Sequence, residues 1–432
     1  MSGEFIVMLG LLVALALMGV PIGLTLICSS IAYIHMRGLP LTAVTDSIMQ
    51  GFSSNYIFLA IPLFILAARI MNAGSITDRM LDFAIGAVGH MRGGLSQVNV
   101  LSSLIFSGMS GSATADAAGV GSVLVRMMRE RNRYPGGYAG ALTAASSVIG
   151  PIFPPSIPMI YYAISANASV GSLFLGGVVP ALIIAGMLMA LCYVIAIFRG
   201  FPTEEKASPA QRLLLARRAI LPLLTPAILL GGIYSGIMTP TEAAAVAVAY
   251  AGVVSLVIFR AMGARETWQV LVDSAEKSAV VVMILAGAFL FGYVVAIERL
   301  PNTLAAWVGG WDMSPTTFLL MINLMFLGLG MFLPAATILL VIVPVVVPAT
   351  LTLGIDPIHF GVIIVINTMI GLVTPPYGVL IFVVSAVNRL PTWDVIREIL
   401  PFIAMLIASL VLLVLFPELV LFVPEQFGYR PI

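Results

Sequence analysis

Two short stretches combine double prolines with glycine and hydroxyl residues inside otherwise apolar sequence. They read IGPIFPPSIPM, starting at Ile149, and IGLVTPPYGVL, starting at Ile370. Proline removes a backbone N–H and breaks helices, so each stretch leaves carbonyl oxygens and N–H groups without helical partners. Free carbonyl oxygens are hard ligands for a small cation, and N–H groups at a helix start favour an anion. These residues therefore indicate ion binding.

A third stretch, SGMSGSATAD from Ser107, has small residues that permit a tight turn and adds three hydroxyls, on Ser110, Ser112 and Thr114. Small residues also allow close helix packing with no ligand. Asp116 is an acid in an apolar segment, which makes it a functional candidate. We favour the alternative that it sits in the first turn of the second hairpin helix and complements the dipole of that helix. The polar residues on the arms before the double prolines, which either face the site or bond across helices, are Ser146, Ser147 and Asn367.

The composition is that of a membrane protein with many spans. Of 432 residues, 60% are hydrophobic and 9% are charged, whereas soluble proteins carry about 25% charged residues. The net charge of +1 comes with no basic stripe, so no nucleic-acid partner is expected. The sequence contains neither a phosphate-binding GxxxxGK[ST] loop nor HExxH. We therefore expect a protein that is not an enzyme, hydrolyses no ATP and needs no cofactor beyond coupling ions.

The distribution of positive charge predicts the topology. Four basic loops are expected in the cytoplasm by the positive-inside rule. Their residues are Arg126, Arg129, Arg131 and Arg133; Arg199, Lys206, Arg212, Arg217 and Arg218; Arg260, Arg265 and Lys277; and Arg389 and Arg397. Walking the chain between them leaves two long apolar segments, at about 93–128 and 313–355, that return to their own side. Each is predicted to be a re-entrant hairpin. The run Phe5–Ile34, interrupted by Pro21, is either one span or two, and the side of the N-terminus stays open.

The two double-proline stretches also define a repeat. Aligning Ile149 with Ile370 superposes glycine on glycine, both prolines on both prolines, and Pro180 on Pro401. The chain is thus predicted to contain two repeats, 1–200 and 219–432, joined by a cytoplasmic linker over 201–218. Each has a hairpin and a broken helix, at about 138–167 and 357–389, and these run in opposite directions across the membrane. About 10–12 helical spans in inverted repeats are typical of a secondary transporter with its site at the midplane.

Other functions fit these features less well. An ion-coupled carrier that works without a binding protein would share the inverted repeats. A channel could use the hairpin tips as a filter. A membrane enzyme is the weakest alternative, because no set of His, Asp or Glu clusters at one depth.

Four segments together resemble the large membrane subunit of tripartite ATP-independent periplasmic (TRAP) transporters. They are IPLFILAARIMNAG, HMRGGLSQVNVLSSLIFSGMSGSATADAAGVGS, LTAASSVIGPIFPPSIPMI and GIDPIHFGVIIVINTMIGLVTPPYG, and the similarity extends over essentially the whole chain. The resemblance implies a multi-pass bacterial inner-membrane protein. It implies sodium symport of small organic acids such as C4-dicarboxylates or sialic acid, with a periplasmic binding protein and a separate small four-helix membrane subunit as partners.

The resemblance also implies the site residues. One sodium would bind at Ser110, Gly150, Phe153 and Pro154. A second would bind at Gly330, Leu333, Gly371, Thr374 and Tyr377. Substrate would contact Ser112, Thr114, Ser156 and Pro334. The second tip reads MFLPAAT, without the acidic residue that many relatives carry there.

The mechanism implied by the resemblance is an elevator. Hairpins and broken helices would move together as one rigid body against a static scaffold. That scaffold would comprise the N-terminal helices, Ser172–Phe198, the 219–259 pair and the C-terminal helix.

Overall fold

The computed structural model describes residues 2–73, 76–130, 133–310 and 313–431, and regular structure within them is helical throughout. The first half contains α1 (Gly3–Leu17), α2 (Ile22–Met36), α3 (Thr42–Ser54), α4 (Ala60–Ala73), α5 (Ile76–Val88), α6 (Gly94–Ser110), α7 (Ala113–Ala118), α8 (Val120–Arg129), α9 (Gly136–Ser147), α10 (Ile157–Ala166) and α11 (Val170–Arg199). The second half contains α12 (Pro209–Tyr234), α13 (Pro240–Gly252), α14 (Ala264–Ile297), α15 (Leu300–Gly309), α16 (Pro315–Gly330), α17 (Ala335–Thr337), α18 (Val343–Thr352), α19 (Pro357–Gly371), α20 (Val379–Asn388), α21 (Thr392–Leu415) and α22 (Glu418–Gln426).

The same order of elements occurs in both halves. In each, four or five helices precede a helical hairpin, an interrupted helix and a long closing helix. We call α6–α8 hairpin 1, α16–α18 hairpin 2, α9–α10 broken helix 1 and α19–α20 broken helix 2. Within the described residues, seven helical segments are long and apolar enough to cross a membrane. The predicted all-α, multi-span architecture is confirmed.

The N-terminal run is a pair of helices, which settles the alternative that the sequence left open. The chain turns between α1 and α2 at Gly19, whose φ of 81° lies in the left-handed region. Ser2 and Tyr33, at the start of α1 and near the end of α2, both hydrogen-bond to Glu298. The two helices therefore run antiparallel along each other.

Several helices extend beyond the uncharged runs that marked them in the sequence. Helix α14 has 34 residues, which is about 50 Å at 1.5 Å per residue and exceeds a hydrocarbon core of about 30 Å. Arg265 and Lys277 therefore lie within a helix, and the prediction of a loop there is wrong. Charge marks where a helix leaves the apolar layer, but it does not mark where the helix ends. Arg131, assigned to the first basic loop, lies outside the described residues.

The linker predicted over 201–218 is also shorter than expected. Ser208 begins α12 through a capping box with Gln211, so only the residues before it are irregular. The linker is tied down, since the Glu204 N–H donates to the Gly89 carbonyl at 2.9 Å and its carboxylate pairs with Arg133 at 2.7 Å.

Three further elements differ from the spans read from the sequence. The sequence has no charged residue over 47–68, which predicts a single span there. The structure interrupts this run at Asn55, where the backbone leaves the helical region and α3 gives way to a short 3₁₀ turn before α4. Helices α5 and α15 had no counterpart among the expected spans. The charges in α5, at Asp78, Arg79 and Asp82, hide its apolar face from a search for uncharged runs.

The hairpins and broken helices share one apolar core with α11 and α21. A Cβ on Gly177 of α11 would lie 2.4 Å from the Ile152 carbonyl oxygen of broken helix 1. One on Gly176 would lie 3.2 Å from Ile358 and Val362 of broken helix 2. This glycine pair lets α11 contact both broken helices directly. Ser172–Phe198 and the C-terminal helix, which the resemblance assigns to the scaffold, thus both pack against the hairpins and broken helices. Their place in the scaffold stays a prediction.

Candidate functional site

The tip of hairpin 1 packs directly onto the interruption of broken helix 1. Gly111, between α6 and α7, has a φ of 57°, in the region that favours glycine. A Cβ there would lie 2.5 Å from the Pro155 carbonyl oxygen, which is closer than atoms of a side chain can approach. The absence of a side chain at Gly111 therefore brings the tip and the break into contact.

The residues predicted for the first sodium site meet at this junction. The Ser110 hydroxyl accepts the Ser112 N–H at 3.3 Å. A Cβ on Gly150 would lie 3.6 Å from the Ser112 carbonyl oxygen, and one on Gly108 would lie 3.6 Å from the Phe153 ring. Pro154 forms a cis peptide bond with Pro155, as Pro375 does with Pro376 in the other half. The predicted residues thus lie on two elements that contact each other.

The corresponding junction in the second half is a contact between two glycines. A Cβ on Gly371 would lie 2.6 Å from the Gly330 carbonyl carbon, and one on Gly330 would lie 3.3 Å from the Gly371 Cα. Buried Thr374 donates its hydroxyl proton to the Ile370 carbonyl at 2.7 Å, which leaves its oxygen lone pairs available. Leu333 lies in the adjoining tip.

Tyr377 belongs to the same interrupted segment, but its side chain points outward. Its ring is 57% exposed and packs beside Phe382, with ring centroids 6.2 Å apart. A contribution to an ion site at this junction would have to come from the Tyr377 backbone.

Polar side chains on the first arms of the broken helices bond across to the hairpins. The Ser146 hydroxyl donates to the Asn99 side chain of α6 at 2.7 Å. In the second half, the Asn367 amide donates to both the backbone and side-chain oxygens of Asn323 in α16, each at 2.7 Å. Ser147 bonds within α9, to the Thr143 carbonyl at 2.7 Å. Ser146 and Asn367 therefore couple each broken helix to its hairpin.

Asp116 occupies the first turn of α7, as predicted, but its carboxylate is buried. Only 3% of the residue is exposed, and both carboxylate oxygens are buried without a hydrogen-bond partner among the described residues. An interaction with the helix dipole does not require the side chain to be buried, so the burial of Asp116 is not explained by that interaction alone.

A cavity of about 600 Å³ opens beside the first tip. Ser112 and Thr114 line it, with hydroxyl oxygens 3.2 Å apart. Ala335, next to Pro334, closes it from the tip of hairpin 2. Ser156 lies beneath the break, where its buried hydroxyl accepts the Met159 N–H at 3.2 Å and donates to the Pro151 carbonyl. Of the predicted substrate residues, Ser112 and Thr114 reach the cavity with their side chains.

Two residues that were not predicted from the sequence also line the cavity. They are Arg69 of α4 and Lys277 of α14. A charge within the apolar segment IPLFILAARIMNAG was the available signal for Arg69, since ionisable residues inside spans are functional candidates. Lys277 was assigned to a loop, which concealed its position on a cavity-lining helix.

Residues 9–419 match the model of a family described as the tripartite ATP-independent periplasmic transporter, DctM component. The chain belongs to this family. It is 41% identical to the sialic acid TRAP transporter large permease protein SiaM of Vibrio cholerae, over 99% of this chain and 100% of that protein. It is 40% identical to the C4-dicarboxylate TRAP transporter large permease protein DctM of Pseudomonas aeruginosa, over 87% of this chain and 88% of that one.

A solved transporter structure shares the fold. The crystal structure of the Alcanivorax borkumensis YdaH transporter superposes with a TM-score of 0.59, covering 88% of this chain and 89% of that one at 15% identity. The curated relatives are transporter permeases, so the prediction that the chain is not an enzyme is confirmed. As a TRAP large permease with seven membrane-length helical segments among its described residues, it is a multi-pass protein of the bacterial inner membrane.

Proposed function

We propose that this TRAP permease takes up a small organic acid by sodium symport, together with a small four-helix membrane subunit and a periplasmic substrate-binding protein. The observation that carries the proposal is the contact of each hairpin tip with a helix break, at Gly111–Pro155 and Gly330–Gly371. Non-helical backbone at membrane depth persists where it lines a cavity or is buried in protein. The oxygens gathered at both junctions suit a small hard cation.

Each junction is proposed to hold one sodium ion. The first would use oxygens of Ser110, Gly150, Phe153 and Pro154. The second would use oxygens of Gly330, Leu333, Gly371, Thr374 and Tyr377, with the Tyr377 carbonyl in place of its outward side chain.

The proposed substrate is a carboxylate held in the cavity beside Ser112 and Thr114. Two similar permeases are named for sialic acid and for C4-dicarboxylates, and both classes of compound are carboxylates. Hydroxyls and the polar tip backbone supply hydrogen-bond donors for such a group.

The number of charges carried follows from two sodium sites. A monocarboxylate with two sodium ions carries one net positive charge, and moving it inward gains about 2.3 kcal/mol per 100 mV. That corresponds to roughly fiftyfold accumulation before any concentration term. A dicarboxylate with two sodium ions would carry no net charge, so its uptake would not respond to the membrane potential. Potential dependence thereby distinguishes the two substrate classes.

The proposed movement is that of an elevator. Hairpins 1 and 2, both broken helices, α11 and α21 share one core. Helices α4 and α14 pack with α13 and α2 and form part of the surrounding frame. The cavity lies between these two bodies, where a shift of one against the other would change its access.

The deciding experiment is uptake of radiolabelled succinate and N-acetylneuraminate into proteoliposomes that hold both membrane subunits. Uptake should require an inward sodium gradient and the binding protein. Equal uptake when potassium replaces sodium refutes the coupling. Uptake without the binding protein favours an autonomous carrier, and non-saturable flux favours a channel.

A further inference from the structure

The charged side chains on the cavity wall are both cations. Among the described residues that line the cavity, Arg69 and Lys277 are the ones that carry a full charge at neutral pH. The hydroxyls of Ser112 and Thr114 line the same cavity. An anion in the cavity would therefore meet both hydrogen-bond donors and positive charge.

Arg69 forms an ion pair that a bound anion could replace. Its guanidinium lies 2.9 Å from the Asp273 carboxylate, and the two side chains are 35% and 43% exposed. Ion pairs as exposed as this contribute little to stability. Asp273 precedes Lys277 by one helical turn on α14, so the same carboxylate lies within reach of both cations. The group therefore carries an excess of one positive charge.

We propose that Arg69 and Lys277 together form a cationic wall that binds the anionic group of the substrate, with Asp273 holding Arg69 when the cavity is empty. This inference rests on the proposed function, since it identifies how the same cavity recognises an organic anion. Arg69 presents a planar fork that matches a carboxylate, and Lys277 adds a point charge.

The wall and the tip lie on different helices. Helices α4 and α14 pack mainly with α13 and α2, although α4 also contacts α6 of hairpin 1, whereas Ser112 and Thr114 lie at the tip of hairpin 1. In the proposed elevator movement, the wall contacts the substrate only in the arrangement in which the tip faces it. It raises the affinity of that one state and leaves the sodium junctions unchanged.

Charge-selective labelling tests the wall without knowledge of the substrate. Cys28 is exposed and Cys192 is buried, so Cys28→Ser provides a background for Ala118→Cys, at an exposed position on the cavity lining. An anionic methanethiosulfonate should label this cysteine faster than a cationic one does, because the wall attracts the anion and repels the cation. Arg69→Gln and Lys277→Gln should each slow the anionic reagent roughly twofold and speed the cationic reagent roughly twofold. The ratio of the anionic to the cationic rate should therefore fall about fourfold for each variant. Lys206→Gln removes a cation outside the cavity and should leave the ratio unchanged. A ratio unaffected by both cavity variants overturns the proposal.

Transport kinetics then separate substrate binding from a structural ion pair. In the complete transporter, Arg69→Gln should raise KM for the transported acid about five- to tenfold, with a smaller change in kcat. Arg69→Lys should restore much of the loss. Asp273→Asn should leave KM unchanged or lower it, because it removes a competing anion. A rise in KM for Asp273→Asn equal to that for Arg69→Gln identifies a structural tie and overturns the proposal. Absence of sodium-dependent uptake in the unaltered protein refutes the proposed function instead, and labelling still decides whether the wall exists.

Discussion

The contact between Gly330 and Gly371 gives a quantitative test of the second ion site. A Cβ in Gly371→Ala would lie 2.6 Å from the Gly330 carbonyl carbon and 2.8 Å from its oxygen. Carbon atoms pack at about 3.5–4.0 Å, so the tip of hairpin 2 must retreat by about 1 Å. The contact is with backbone, and no side-chain rotation can relieve it.

The expected cost follows from the strain. Overpacking of this kind costs about 1–3 kcal/mol. In the ion-free protein the tip moves away and relieves it, whereas binding an ion between tip and break requires the tip to return. The sodium concentration for half-maximal uptake should therefore rise roughly fivefold to 150-fold. Gly330→Ala, with its nearest contact at 3.3 Å, should show a smaller rise.

A matched control lies two residues before Gly330 on α16. A Cβ on Gly328 has nothing within 4 Å, so Gly328→Ala should keep the sodium dependence and stabilise α16 by up to about 1 kcal/mol. The assay is uptake against sodium concentration in proteoliposomes, with thermal unfolding measured in parallel. Normal sodium dependence in Gly371→Ala would refute the close approach as part of the ion site. An equal loss of sodium dependence in Gly328→Ala would show that the flexibility of glycine, and not the close contact, determines ion binding.

Three further predictions concern separate parts of the molecule. Thr374→Val should weaken the sodium dependence of uptake more than it lowers the amount of protein. Thr350→Val removes a similar buried hydroxyl bonded to a carbonyl and should leave the sodium dependence unchanged. Equal effects of the two variants would show that the Thr374 hydroxyl is not part of the ion site. Gly111→Ala should lose uptake because its Cβ strikes the break, while Gly38→Ala, with a φ of 65° and open space, should lose only about 1 kcal/mol of stability; similar losses of uptake would refute the contact. Two hydroxyl donors lower the pKa of Glu298, beyond the end of α14, to about 2. The stabilising contribution of the Glu298 carboxylate is therefore present above the usual carboxyl pKa and is lost as pH falls from about 5 towards 2. The difference in Tm between Glu298→Gln and the unaltered protein should therefore shrink over that pH range. A difference in Tm that stays constant would contradict this prediction.

The helix breaks and hairpin tips could be located from the sequence because they depend on local chemistry. Double prolines interrupt a helix wherever they occur in it, and a tip rich in glycine and serine turns without help from distant residues. The repeat was equally visible, since Gly150 and Gly371 fall at equivalent positions. These local signals were enough to predict an all-α membrane fold with paired interruptions.

Helix ends and partners required the tertiary structure. Apolar runs report contact with lipid, so they missed the charged α5 and placed Lys277 in a loop although α14 continues through it. Charge reports the depth of a residue in the membrane, not its backbone conformation.

The sequence by itself determined where this chain breaks its helices, because backbone chemistry acts on neighbouring residues. Only the tertiary structure decided what those breaks face. It joined α11 to the core through Gly176 and Gly177, and it brought Arg69 to the same cavity as a tip more than 40 residues away. Such contacts depend on how helices pack across the whole chain, and no local pattern encodes them.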